Sequence, residues 1–128
     1  MRNPTGLPIR IDKAGSGMFG APRGERIHLG VDFYSDSGMG VYAPISGFLN
    51  RVVYPYSGDT RWQGVEIINP NFIAHVLYVK PADFRLHQQV KSSDIIGYAQ
   101  NIRAKYPNEP DMRNHVHVNL YANIELFL

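Results

Sequence analysis

The stretch His115-Val116-His117-Val118-Asn119-Leu120-Tyr121 alternates imidazole, amide or phenol side chains with aliphatic ones. A β-strand sends successive side chains to opposite faces, so Val116, Val118 and Leu120 are expected on a core face, with His115, His117, Asn119 and Tyr121 on the other. Residues two apart do not share a helix face, whereas a strand aims both imidazoles at one place. The segment therefore predicts a strand that carries chemistry on its outer side.

Outward from it, 12 glycines and 9 prolines divide the 128 residues into apolar runs too short for ordinary helices. The expected strands are Gly30 to Tyr34, Val41 to Ala43, Gly47 to Tyr54, Gly64 to Ile68, Ala74 to Lys80, Ile95 to Ala99 and His115 to Tyr121, several of them rich in Val, Ile, Tyr and Phe. Turn clusters separate them, such as Ser35-Asp36-Ser37-Gly38 and Asn69-Pro70-Asn71. Asn101 to Asn114 has no period and reads as a long loop, of the kind that often walls a site. There is no internal repeat, and the length suits one mainly β domain over residues 1–128.

Composition excludes several classes. The chain is 44% hydrophobic and 19% charged, which is globular rather than disordered. A net charge of +2 is no nucleic-acid footprint, although it leans toward anionic partners. No run reaches the ~20 apolar residues of a membrane span, and Met1 to Pro8 holds no apolar core of a secretory signal. Cysteine is absent, so a metal site must be built from histidine and carboxylate.

Near the other end, His28-Leu29-Gly30-Val31-Asp32 supplies such groups. With the His-x-His segment it offers a His/Asp/His set for one Zn2+. That set would leave open the fourth tetrahedral position, as catalytic zinc requires, and one histidine spare to move protons. Elsewhere, Trp62 reads either as a packing aromatic or as a stacking platform for substrate.

The run Gly17-Met18-Phe19-Gly20-Ala21-Pro22-Arg23, the His28 to Phe33 segment, Gly40-Val41-Tyr42-Ala43-Pro44-Ile45-Ser46-Gly47, Val90 to Gly97 and His115-Val116-His117 together resemble the lysostaphin-like, or LytM-type, zinc metallopeptidases. The resemblance covers about residues 15–121. It implies a small antiparallel-sheet domain of the duplicated hybrid motif type, Zn2+ held by His28, Asp32 and His117, and His115 as a catalytic histidine. It also implies cleavage of peptide cross-links in bacterial peptidoglycan, outside the cell or in the periplasm. With no secretory signal seen, delivery by a phage particle, as with an endolysin, or by a secretion assembly is expected.

One position departs from the family. Its Tyr-x-His segment reads Tyr78-Val79-Lys80-Pro81 here, so lysine stands where a second catalytic histidine is usual. The same replacement is similar to that in leukocyte cell-derived chemotaxin, an animal relative whose zinc site is regarded as lacking peptidase activity. The cysteines typical of that relative are missing, which favours a bacterial or phage relative. Lys80 is expected to stabilise the oxyanion of the tetrahedral intermediate, from the same strand face as Tyr78. His75 and His87 are weak candidates to replace the missing imidazole. Three readings follow: a zinc endopeptidase weakened by Lys80, an inactive zinc module that binds wall peptide or a protein partner, and an assembly module that keeps zinc for stability.

Overall fold

The computed structural model describes residues 1–12, 15–18, 22–23, 26–27 and 30–123. His28, and with it the ligand role expected of it, lies outside the described residues, as do Phe19, Gly20 and Ala21. The strands are β1 Ile11–Asp12, β2 Gly15–Ser16, β3 Pro22–Arg23, β4 Arg26–Ile27, β5 Val31–Tyr34, β6 Gly40–Tyr42, β7 Gly47–Val53, β8 Gly64–Ile68, β9 Phe72–Leu77, β10 Val79–Pro81, β11 Gln89–Val90, β12 Ile95–Ala99 and β13 His115–Ala122. Short 3-10 turns at Asp83–Arg85 and Ile102–Lys105 are the helical elements among the described residues. No helix among them is long and apolar enough to cross a membrane.

The strands form a six-stranded sheet in the order β11-β7-β8-β9-β13-β5, a three-stranded sheet in the order β10-β12-β6, and the pairs β1-β2 and β3-β4. Their pairing is antiparallel throughout. Local chemistry fixes the register. Asn69 Oδ1 accepts the amides of Asn71 at 2.9 Å and Phe72 at 2.8 Å, so the Asn-Pro-Asn turn closes β8 onto β9.

Alternation then separates the faces. Leu49, Val65, Ile67, Ala74, Val76 and Val116 have no exposed surface and meet Val41, Val79 and Ile96 of the smaller sheet in one core. Leu120 departs from the expected pattern and is 42% exposed. Pairing of β13 with β5 ends at Val118↔Val31, so Leu120 lies past the double-sided part of the sheet and lines a cavity of about 400 Å3. The expected strand Ala74 to Lys80 is also corrected. Tyr78 adopts φ 67 and breaks it into β9 and β10, which belong to different sheets.

The outer face of the large sheet is polar. Asn119, His75 and Glu66 are successive cross-strand partners, and Arg51 pairs with Glu66. Glu66 is buried and accepts from Asn50 at 2.9 Å, from Arg51 at 3.1 and 3.0 Å, and from His75 Nε2 at 2.8 Å. Burial alone would raise its pKa, but the hydrogen bonds of Asn50, Arg51 and His75 outweigh it and hold the carboxyl at about 2 instead of 4.5. A depressed acid stabilises the fold fully above its unfolded pKa and loses that contribution as pH falls toward the folded value. Glu66→Gln is expected to cost on the order of 2 kcal/mol near neutral pH. In urea titrations the gap between parent and variant should close between about pH 4.5 and about pH 2; a gap that stays constant with pH would refute the assignment.

Candidate metal centre

The register of β5 against β13 sets His117 opposite Asp32 and His115 opposite Tyr34. Of the four expected site residues described here, Asp32, His115 and His117 are buried, at 2%, 5% and 9% exposure, and Lys80 is exposed. His117 Nδ1 lies 2.7 Å from Asp32 Oδ1, and its Nε2 lies 2.7 Å from Asn119 Oδ1. A 2.7 Å contact to a carboxylate oxygen is a hydrogen bond that Nδ1–H donates, and Asn119 Oδ1 is an acceptor on the ring's other side, beside Nε2. A ligand histidine normally gives its other N–H to such an acceptor, so this donor chemistry fits zinc. Asp32 and His117 are the described donors. Among the described residues there is no complete cluster of three or more His, Cys, Asp or Glu able to hold a metal.

His115 is oriented by the backbone. Its Nδ1 donates to the Arg113 carbonyl at 2.9 Å, which leaves the Nε2 lone pair facing Asp32 Oδ2 at 3.8 Å. Burial lowers its pKa, opposed in part by the Asp32 charge, so the ring is a neutral base near neutral pH.

The amino-terminal segment completes the carboxylate's surroundings. Arg10 N donates to Asp32 O at 2.8 Å and Asp32 N to Gly17 O at 2.7 Å. A Cβ on Gly17 would lie 2.5 Å from Asp32 Cβ, so only glycine permits this approach. Arg10, itself 4% exposed, places Nε 3.3 Å from Asp32 Oδ2 and Nη1 3.0 and 3.1 Å from the Asp12 oxygens. A buried guanidinium between two carboxylates is paired on both sides.

Tyr78, rather than Lys80, faces the histidines. Its ring meets those of His115 and His117 edge-on, with centroids 5.7 and 6.5 Å apart. Burial pushes its phenol up to about 12, which keeps it protonated. Its hydroxyl lies 3.3 Å from that of Tyr56, which also bonds the Tyr106 hydroxyl. Tyr106 thus brings the 101–114 loop into contact with the site. Asn114 anchors that loop, accepting from Ile102 N at 2.8 Å and donating to Ser35 Oγ at 3.0 Å and Gln100 O at 2.9 Å.

Lys80 is exposed and pairs across the smaller sheet with Tyr98. The alternation that set it beside Tyr78 fails because the positive φ of Tyr78 interrupts the strand. His75 is engaged by Glu66, and His87 packs edge-on against Phe48 of β7, three strands from β13 and so about 14 Å away. Trp62 is 9% exposed, which suits packing and not an open stacking platform.

Arg10 and Tyr78 are contributions that sequence reasoning missed. Asn119 was readable from the alternation, but its hydrogen bond was not. A positive φ at a non-glycine residue and a long-range guanidinium pair leave no periodic trace.

No family model matches the chain. Myeloid protein 1 of Gallus gallus is 33% identical over 121 residues, which are 91% of this chain and 35% of that protein. Leukocyte cell-derived chemotaxin-2 of Bos taurus is 28% identical over 108 residues, 84% of this chain and 68% of that protein. The chain thus spans about a third of one relative and two thirds of the other. Among solved structures, LytU superposes with a TM-score of 0.65 at 20% identity, over 95% of this chain and 76% of that one. The antimicrobial peptidase lysostaphin from Staphylococcus simulans gives 0.66 at 19%, over 93% and 45%. A zinc-containing peptidase from Vibrio cholerae gives 0.57 at 21%, over 93% and 35%. The chain has the lysostaphin-like peptidase fold.

Two substitutions probe the centre. Asn119→Ala removes the acceptor beside His117 Nε2 and is expected to weaken zinc binding about 10- to 100-fold in a chelator competition. Gly30 has φ +131, and a methyl there would overlap His117 Nε2 and Asn119 Oδ1. Gly30→Ala is therefore expected to lower both thermal stability and zinc affinity, and retention of both would argue against this geometry.

Proposed function

We propose that this chain is a zinc-dependent endopeptidase domain acting on the peptide cross-links of bacterial peptidoglycan, with His28, Asp32 and His117 as zinc ligands and His115 as general base. The observation that carries the reading is the buried meeting of Asp32, His115 and His117. His117 turns Nδ1 to the carboxylate, and His115, whose Nδ1 donates to the Arg113 carbonyl, leaves Nε2 to accept a proton.

Zinc bound there would polarise the scissile carbonyl and bring the pKa of a water toward ~7. His115 Nε2 takes the proton of the attacking water and returns it to the leaving amine, while the Arg113 carbonyl keeps the ring oriented. Arg10 and Asn119 hold Asp32 and His117 in place. Tyr78 shields both rings from bulk water. The family's second catalytic histidine has no counterpart among these groups, so turnover is expected to be slow.

A second reading, a zinc module that binds wall peptide or a protein partner without cutting it, is favoured by lysine at position 80 and by the likeness to the chemotaxin. The experiment is a digest of cross-linked muropeptides by zinc-loaded protein, scored by new amine termini. Cleavage is expected in the parent and should fall about 10²- to 10⁴-fold in His115→Ala with zinc content unchanged. Zinc-loaded parent that binds sacculi but releases no amine would replace the first reading with the second.

A further inference from the structure

Arg10, Ile11 and Asp12, which run beside β5, reverse the usual sense of strand alternation. Ile11 is 63% exposed, while the side chains of Arg10 and Asp12 are each 5% exposed. Burying a guanidinium and a carboxylate while an isoleucine faces water costs more than the opposite arrangement, so the inward contacts must offset it.

Those contacts lead to the site by two routes. Arg10 Nε reaches Asp32 Oδ2 at 3.3 Å. Both Asp12 oxygens accept from Arg10 Nη1, at 3.0 and 3.1 Å, and Oδ2 also accepts the Arg113 amide at 2.9 Å. The carbonyl of that same Arg113 accepts His115 Nδ1 at 2.9 Å. A circuit therefore runs from Asp32 through Arg10, Asp12 and Arg113 to His115, whose Nε2 lies 3.8 Å from Asp32 Oδ2. The backbone is held beside both of its turning points. The Tyr34 hydroxyl accepts from Ile11 N at 2.8 Å and donates to Ile11 O, and Ser35 N donates to Asn114 O at 3.0 Å.

Asp12 is the member with contacts in both directions. Its two oxygens lie in one plane, so with Arg10 on both of them the direction left for the Arg113 amide is set. Its charge also balances the guanidinium that lies against Asp32.

We propose that Asp12 is a positioning residue that holds Asp32 and His115 in one frame, through Arg10 on one side and the Arg113 backbone on the other. The roles of Asp32 as ligand and His115 as base rest on the peptidase reading above.

Two variants test the frame. Asp12→Asn keeps the size and one acceptor oxygen but loses the charge and the second acceptor. The double variant Arg10→Met with Asp12→Leu exchanges a buried ion pair for apolar groups, a change that is often neutral or stabilising. A merely structural pair leaves the site of that folded double variant as it was, whereas a positioning pair does not. The readouts are the ring nitrogens of His115 in two-dimensional ¹H–¹⁵N spectra of the full chain, at a fixed, mildly alkaline pH, and zinc affinity in a chelator competition. His115→Ala assigns the His115 signals. The parent is expected to show Nδ1 protonated and Nε2 bare. Both variants should show a mixture of the two tautomers and bind zinc about 10-fold less tightly. Their kcat on cross-linked muropeptides should fall about 10- to 100-fold at an unchanged KM, because a buried carboxylate offers a substrate no surface. Parent-like His115 signals or parent-like zinc affinity in either folded variant overturns the proposal, as does a loss of thermal stability with no change at the site. A parent that releases no amine, but whose His115 changes tautomer in the variants, keeps the frame and loses the peptidase reading. A parent that cleaves and is matched by both variants keeps the peptidase reading and loses the frame.

Discussion

The approach of His117 Nδ1 to Asp32 Oδ1 at 2.7 Å is the contact around which this end of the molecule is arranged. An imidazole N–H that donates to a carboxylate in a low-dielectric interior makes a strong, charge-assisted hydrogen bond whose loss would leave a buried charge unpaired. The surrounding atoms hold the pair in that demanding geometry. Asn119 fixes one end of the imidazole, Arg10 takes the far oxygen of Asp32, and glycine at positions 17 and 30 leaves room for backbone and side chain to close in. Larger residues at either glycine would force these groups apart.

The second constraint is conformational. Tyr78 occupies a left-handed backbone region that costs a residue with a Cβ about 1–2 kcal/mol. Two consequences offset that. The ring turns onto His115 and His117, and the chain passes from the large sheet into the small one, so that Val79 enters the core and Lys80 emerges on its far side. An unbroken strand would have kept Tyr78 and Lys80 on one face. The break separates an uncharged, protonated phenol, which belongs beside a prospective metal, from an ammonium, which would be repelled by it.

Much of the scaffold was legible because antiparallel sheets with one buried face write a period of two into the sequence. Gly64 to Ile68 and Ile95 to Ala99 stand as read, four other strands moved by a residue at one or both ends, and Ala74 to Lys80 is split at Tyr78 into β9 and β10. His115 and His117 share the polar face that alternation gave them, and the register of β5 against β13 brings Asp32 to them. Where the reading failed, the cause was tertiary. Leu120 keeps the alternation but outruns β5, its neighbour on one side. Arg10 lies in a short segment without period, and only the folded chain brings it to Asp32.

Position 80 stands apart from the histidine cluster. Lys80 is exposed and its strand neighbours Val79 and Ala99 carry the packing, so a change there leaves the core intact. Asp32, His115 and His117 depend instead on one another's placement, because buried polar groups lose their hydrogen bonds with a shift of about an ångström, whereas an exposed ammonium keeps its hydration wherever it swings.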